Sequence, residues 1–204
     1  MEELFQLLNS IKELSPELKD YLLQHLKERK LKEKEILLKA GHICRSIYFI
    51  EKGLFRCYYI DDKDEMCTWF MKESDVIVSI TSFFKQEPSY EYIQALEDAV
   101  VHSITYDELY YAYRHFDEFN FIGRELLTKY YLLSEQRLSC LRCGTGPEKV
   151  EFLKRHYPHL VGRVEDQHLA TFLDMTSHYY SRLKPKEEKR KQRPRGNKIS
   201  NKRK

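Results

Sequence analysis

The chain has 204 residues, room for one large domain or two small ones, and 42% are hydrophobic, which is enough to form a packed core. No apolar run approaches the roughly 18 residues that a spanning helix needs, and Met1–Phe5 lacks the basic and apolar regions of a secretion signal. Five cysteines, an odd number at irregular spacing, argue against a disulfide framework, so a reducing cytoplasmic setting with no membrane partner is expected.

Residues 2–29 read as helical. Leu4, Leu7, Leu8, Ile11 and Leu14 recur at helical spacing, and Ser15-Pro16 opens a second helix with Leu18, Tyr21, Leu22 and Leu26 on its apolar face. The period then changes. Short apolar or alternating runs cover 36–38, 47–50, 54–60, 66–71, 76–80, 92–96 and 100–104. Ala40-Gly41, Lys52-Gly53 and Asp61-Asp62-Lys63-Asp64 mark turns between them. Strands at this spacing predict an antiparallel sandwich or roll. The helical period returns from Asp107 to about Cys143, and Gly144-Thr145-Gly146-Pro147 then breaks the chain before a helix over Glu148–His156.

Residues 166–184 have the layout of a helix-turn-helix. Leu169, Ala170 and Leu173 face inward on a short helix, Asp174-Met175-Thr176 turns, and Thr176 or Ser177 caps a second helix. Such a second helix reads the DNA major groove. Pro185 stops it. From Lys184 to Lys204 there are eleven Lys or Arg against Glu187 and Glu188, a charge of +9 in a chain whose net charge is +3. The body is thus mildly acidic, and nucleic-acid affinity is expected from the basic end. Residues 185–204 are too polar to bury and are expected to be a disordered tail.

The order of elements resembles the Crp/Fnr family of bacterial transcription regulators. The resemblance rests on Glu35-Ile36-Leu37-Leu38-Lys39-Ala40-Gly41, on Ile47-Tyr48-Phe49-Ile50-Glu51-Lys52-Gly53, and on a helix-turn-helix at the matching distance downstream. It implies an α+β fold. A cyclic-nucleotide-binding-type, jelly-roll-like antiparallel β-roll with flanking helices would occupy residues 1–143, including a dimerisation helix over about 117–142. A DNA-binding domain would follow over 147–184. Double-stranded DNA and a second copy of the chain are the partners implied.

The same resemblance supplies an effector cassette, a Gly-Glu pair opening a short helix and an Arg-Ser or Arg-Thr pair closing the following loop. Here Val78 and Ser79 fall on the first pair, and Ser89 and Tyr90 on the second, followed by Glu91 and Tyr92. The Arg for a phosphate and the Glu for a ribose are both missing, and Glu87 and Glu91 add negative charge. Neither cyclic AMP nor cyclic GMP is expected to bind. Tyr58, Trp69, Phe83, Tyr90 and Tyr92 either line a pocket for an unidentified small molecule or simply fill the core.

On the long helix Phe119, Gly123, Leu126, Tyr130, Leu133, Arg137 and Cys140 step by four and three, and Leu127, Tyr131, Leu138 and Leu141 form a second strip. One strip suits the roll and the other a second subunit, with Gly123 permitting close approach. Leu126, Tyr130 and Leu133 are the candidate dimer residues; a single wide buried face in a monomer is the other possibility. Thr176, Ser177, His178, Tyr179, Arg182 and Lys184 are the candidate DNA contacts, with Arg182 at the base-reading position that the family resemblance implies. The stretch before Asp166 is too short for the hairpin that the family usually places there.

Cys140-Leu141-Arg142-Cys143 is half of a metal site at most. The histidines have no ligand spacing, and no phosphate loop or nucleophile motif occurs, so neither a metal, a cofactor nor catalysis is expected. The functional expectation is a homodimeric DNA-binding regulator. The alternative is a ligand-binding or scaffolding roll whose DNA-binding part has decayed; a binder of structured RNA is a third.

Overall fold

A computed structural model describes residues 1–184, and the expected basic tail, 185–204, lies outside the described residues. The chain forms two compact units, Met1–Ser139 and the segment from Cys140 onward. No described helix is long and apolar enough to cross a membrane.

The first unit starts with α1 (Glu2–Ile11), which buries Leu4, Phe5 and Leu8 along one face. The Ser15 hydroxyl accepts from the Leu18 N–H at 3.2 Å and opens α2 (Pro16–His25), where Pro16 sits in the first turn and forfeits no helical hydrogen bond. The helix ends sooner than its composition predicts. Lys27–Leu31 is a strand, β1, paired antiparallel with β8 (Ala99–Thr105) from Lys27↔Ser103 to Leu31↔Ala99. Its first four side chains are exposed, so no apolar alternation announces it; backbone pairing at a sheet edge overrides the local helical preference. Charges on such an edge discourage pairing with other chains.

The remaining strands are β2 (Ile36–Leu38), β3 (Ser46–Lys52), β4 (Phe55–Asp61), β5 (Asp64–Met71), β6 (Val76–Ile77) and β7 (Tyr92–Ala95). They form two four-stranded antiparallel sheets, β1-β8-β3-β6 and β2-β7-β4-β5, which is the jelly-roll-like architecture expected. Gly53 turns the chain between β3 and β4 at φ +105°, where a Cβ would stand 2.6 Å from that of Ala99. Only glycine fits there. The run 76–80 stays a strand for two residues and then gives way to a short helix, α3 (Ile80–Lys85). Ile50, Phe55, Ile77, Phe83 and Ile93 are fully buried between the layers. Each contributes about 1.5–3 kcal/mol by leaving water.

Arg56 is a buried cation within this roll. Its guanidinium pairs with Glu65 at 2.6 Å, donates to Gln94 at 2.8 Å and lies 4.1 Å from the centre of the Tyr58 ring. Those partners offset the cost of removing the charge from water.

Phe116 is extended and divides the helical stretch after β8 into α4 (Tyr106–His115) and α5 (Asp117–Cys143). Thr105 and Glu108 cap α4 reciprocally, the carboxylate accepting from the Thr105 N–H at 2.9 Å. Gly123 of α5 is occupied by its own chain. A Cβ there would meet the Tyr113 ring of α4 at 2.5 Å, so the close approach expected for a second subunit is instead made by Tyr113.

The second unit holds α6 (Gly146–His156), α7 (Asp166–Phe172) and α8 (Ser177–Leu183). Glu148 accepts from the Thr145 N–H at 2.7 Å and fixes the start of α6. Leu153, Leu160, Leu169, Phe172 and Tyr180 close a small core. Between α6 and α7 lie a single 3-10 turn (Pro158–Leu160) and an isolated bridge from Val161 to Val164, with no hairpin among the described residues.

Candidate functional site

The first unit encloses a cavity of about 550 Å³. Its walls are mainly apolar. They come from α1 and α2 (Leu4, Leu22), from the roll (Ile47, Trp69, Val78) and from α5 (Ile122, Leu126). That size and lining match a small-molecule site. Tyr90 at 60% exposure and Ile80 at 53% stand at its rim.

Of the cassette positions, the structure brings Val78, Tyr90 and Glu91 to this cavity. Ser79, Ser89 and Glu91 are buried together, with the two serine hydroxyls 2.9 Å apart. The Ser89 hydroxyl also donates to the Glu91 carbonyl at 2.8 Å. Tyr92 does not line the cavity; it stacks on Tyr58 with centroids 5.1 Å apart. Of the five aromatics in question, Trp69 and Tyr90 are wall residues, while Phe83 and Tyr58 belong to the buried interior.

Glu91 is the chemical centre of this group. Its carboxylate accepts from the Thr68 hydroxyl at 3.1 Å, and no cation pairs with it among the described residues. Burial pushes its carboxyl above the ordinary range, while hydrogen bonds from Ser79 and Thr68 pull the other way. The same charge helps burial to raise the thiols of Cys44 and Cys57 and the phenol of Tyr90. His102, also on the wall, has Nε2 beside the Glu51 carboxylate and the Met1 ammonium, and its buried Nδ1 has no hydrogen-bond partner.

On α5 the candidate dimer residues divide. Leu126 and Tyr130 pack toward the roll and line the cavity, and the Tyr130 hydroxyl accepts from the Val76 N–H at 2.9 Å. Leu133 is half-buried. The more exposed apolar strip is the other one, although Leu127 and Tyr131 also border the cavity: Leu127 is 47% exposed, Tyr131 64% and Leu138 38%. With Ser134 and Leu141 these positions step 4-3-4-3, the spacing of a helix-pairing seam.

In the second unit the Thr176 hydroxyl accepts from the Tyr179 N–H at 3.2 Å and caps α8. Tyr180 anchors the helix inward. Ser177, His178, Ser181 and Arg182 form an exposed face with no carboxylate on it. Tyr179 is partly spent on its own unit, because its ring lies where a side chain at Gly146 would be, and the Arg182 guanidinium stands 5.5 Å from that ring's centre. Lys184 departs from the set. It is buried and its ammonium pairs with Asp166 at 2.8 Å, so it joins the end of α8 to the start of α7 instead of facing a ligand.

Residues 28–115 match the family model of the cyclic nucleotide-binding domain. Among solved structures, one from Eubacterium rectale assigned to the Crp/Fnr family of transcriptional regulators aligns over 88% of this chain and 85% of its own, with TM-score 0.69 and 14% identity. A CooA variant from Carboxydothermus hydrogenoformans aligns over 88% and 81%, with TM-score 0.67 and 19% identity. FixK2 from Bradyrhizobium japonicum aligns over 78% and 82%, with TM-score 0.64 and 18% identity. The fold is that of the Crp/Fnr regulators. No curated protein sequence matches the chain.

The short helix α3 and the loop after it carry the positions that the sequence resemblance set against the effector cassette. The buried acid falls one residue after the aligned Arg-Ser positions. Composition gave no sign of its burial, since a lone Glu between two tyrosines reads as an exposed loop residue. The Asp166–Lys184 pair was equally silent, because its members are eighteen positions apart and each suits a solvated surface.

Proposed function

We propose that this protein is a homodimeric DNA-binding transcription regulator whose β-roll responds to a small molecule other than a cyclic nucleotide. The observation that carries the reading is the exposed, acid-free face of α8, capped by Thr176 and displaying Ser177, His178 and Arg182. It follows a short helix and a tight turn in a chain with the Crp/Fnr fold. A helix so exposed enters the major groove, where the planar Arg182 fork donates to O6 and N7 of one guanine. Thr176, Ser177 and His178 are placed to hold phosphates or base edges, and Tyr179 steers Arg182. The exposed α5 strip supports pairing of two copies, which brings two reading helices to a two-fold DNA site.

Exclusion of cyclic nucleotides follows from Glu91. At an effective dielectric of 20, two like unit charges about 4 Å apart repel by roughly 4 kcal/mol, close to three decades in affinity. No arginine stands at the aligned cassette positions to offset that.

A scaffolding roll with a decayed DNA-binding part is the second reading. The observation that favours it is the absence of a hairpin between α6 and α7 among the described residues. Mobility shift with a random duplex pool separates the two. A regulator retains duplex and resists competition by single-stranded or hairpin RNA. A scaffold retains nothing once moderate salt screens the basic tail, and preferential loss to RNA competitor overturns the DNA assignment.

A further inference from the structure

We infer that the cavity of the β-roll takes an apolar organic amine, its ammonium group seated on Glu91. This rests on the proposal that the roll senses a small molecule and supplies the ligand's chemical class.

The cavity's walls are mainly aliphatic and aromatic, with Arg137 and a few hydroxyl residues among them, and its volume of about 550 Å³ suits an organic body. Glu91 is a buried acid on this wall whose oxygens meet only hydroxyl donors. Cys44, Cys57 and Tyr90, the titratable groups that feel its charge, are all acids themselves. A desolvated carboxylate gains most from a charge-assisted donor, and an ammonium ion is the compact group that brings both charge and hydrogen.

His102 also lines the cavity, and its buried Nδ1 has no hydrogen-bond partner. Glu91, a buried carboxyl on the wall with no cation paired to it among the described residues, favours a cationic donor over phosphate or carboxylate beside it. The exposed rim at Ile80 and Tyr90 gives such a ligand a way in.

The chain's one tryptophan, Trp69, is part of the wall, so its fluorescence reports occupancy. The full chain is titrated at neutral pH with 4-phenylbutylamine, 4-phenylbutanol and 4-phenylbutyrate, which share one apolar body. Saturable binding of the amine is expected, at least tenfold tighter than the carboxylate. Glu91→Gln is expected to bring the amine within about threefold of the alcohol. Equal or tighter binding of the carboxylate, an amine preference that survives Glu91→Gln, or no saturable response to any of the three overturns the inference. The wild-type comparison decides even if Glu91→Gln folds poorly. Measured without DNA, the result is independent of the regulator assignment: amine binding by a protein that never retains duplex leaves the ligand class standing and removes the regulator.

Discussion

Replacing Leu127 and Tyr131 of α5 with Gln should dissolve the dimer while leaving the roll folded. Both side chains are roughly half exposed or more in the single chain, at 47% and 64%. Complete burial of a large apolar side chain is worth about 1.5–3 kcal/mol, so covering the remaining half of each contributes roughly 1 kcal/mol. Two side chains on each of two copies give roughly 4–5 kcal/mol, about three decades in the dimer constant. Glutamine keeps the helix, since its propensity is close to that of leucine, and adds an amide that a dry seam leaves unsatisfied. Leu126→Ala is the control. It should lower the melting temperature, with little change in dimerisation, because Leu126 packs against the core of the roll. Sedimentation equilibrium of all three proteins reads both effects. A Gln pair that stays dimeric at wild-type concentrations, or a dissociated Leu126→Ala, refutes the assignment of the seam to the Leu127 strip.

Arg182→Ala should cost about 1–3 kcal/mol on a preferred duplex, and Arg182→Lys should keep non-specific affinity while losing discrimination at one base pair per half-site. Equal losses on matched and mismatched duplexes in a binding titration would reduce Arg182 to a phosphate contact. Deleting residues 186–204 should weaken binding to every duplex and flatten the salt dependence, because fewer counterions are released; an unchanged slope removes the tail from the interface. Glu91→Gln should stabilise the protein increasingly as pH rises above the ordinary carboxyl value of 4.5. The wild-type carboxyl is raised on folding, so its favourable contribution exists at low pH and is lost as the folded group ionises. Thermal melts at pH 4 and 7 check the sign, and a gain confined to pH 4 contradicts it.

Much of the fold was legible because its signals are local. Ser15-Pro16 announces a helix start within two residues, and the short apolar runs at 47–50 and 54–60, bounded by turn residues, report strands. What escaped depends on distant partners. Lys27–Lys30 become a strand only because β8 lies beside them. Gly123 looks like a contact point for another helix until Tyr113 is placed over it. The candidate site was legible at the level of the cassette, since the absence of an arginine there is plain in the sequence. That Glu91 is buried, that Leu126 and Tyr130 face inward, and that Lys184 is consumed by Asp166 depend on packing that no spacing encodes.

The proposed function requires two copies of α8 to read duplex DNA. Repeated selection of full-length protein on random duplexes, followed by sequencing of the retained pool, checks this. Enrichment of an inverted repeat with half-site centres about ten base pairs apart is expected, and loss of that enrichment with Arg182→Ala. A pool that stays random after several rounds, or that converges on the same sequence with Arg182→Ala, contradicts it.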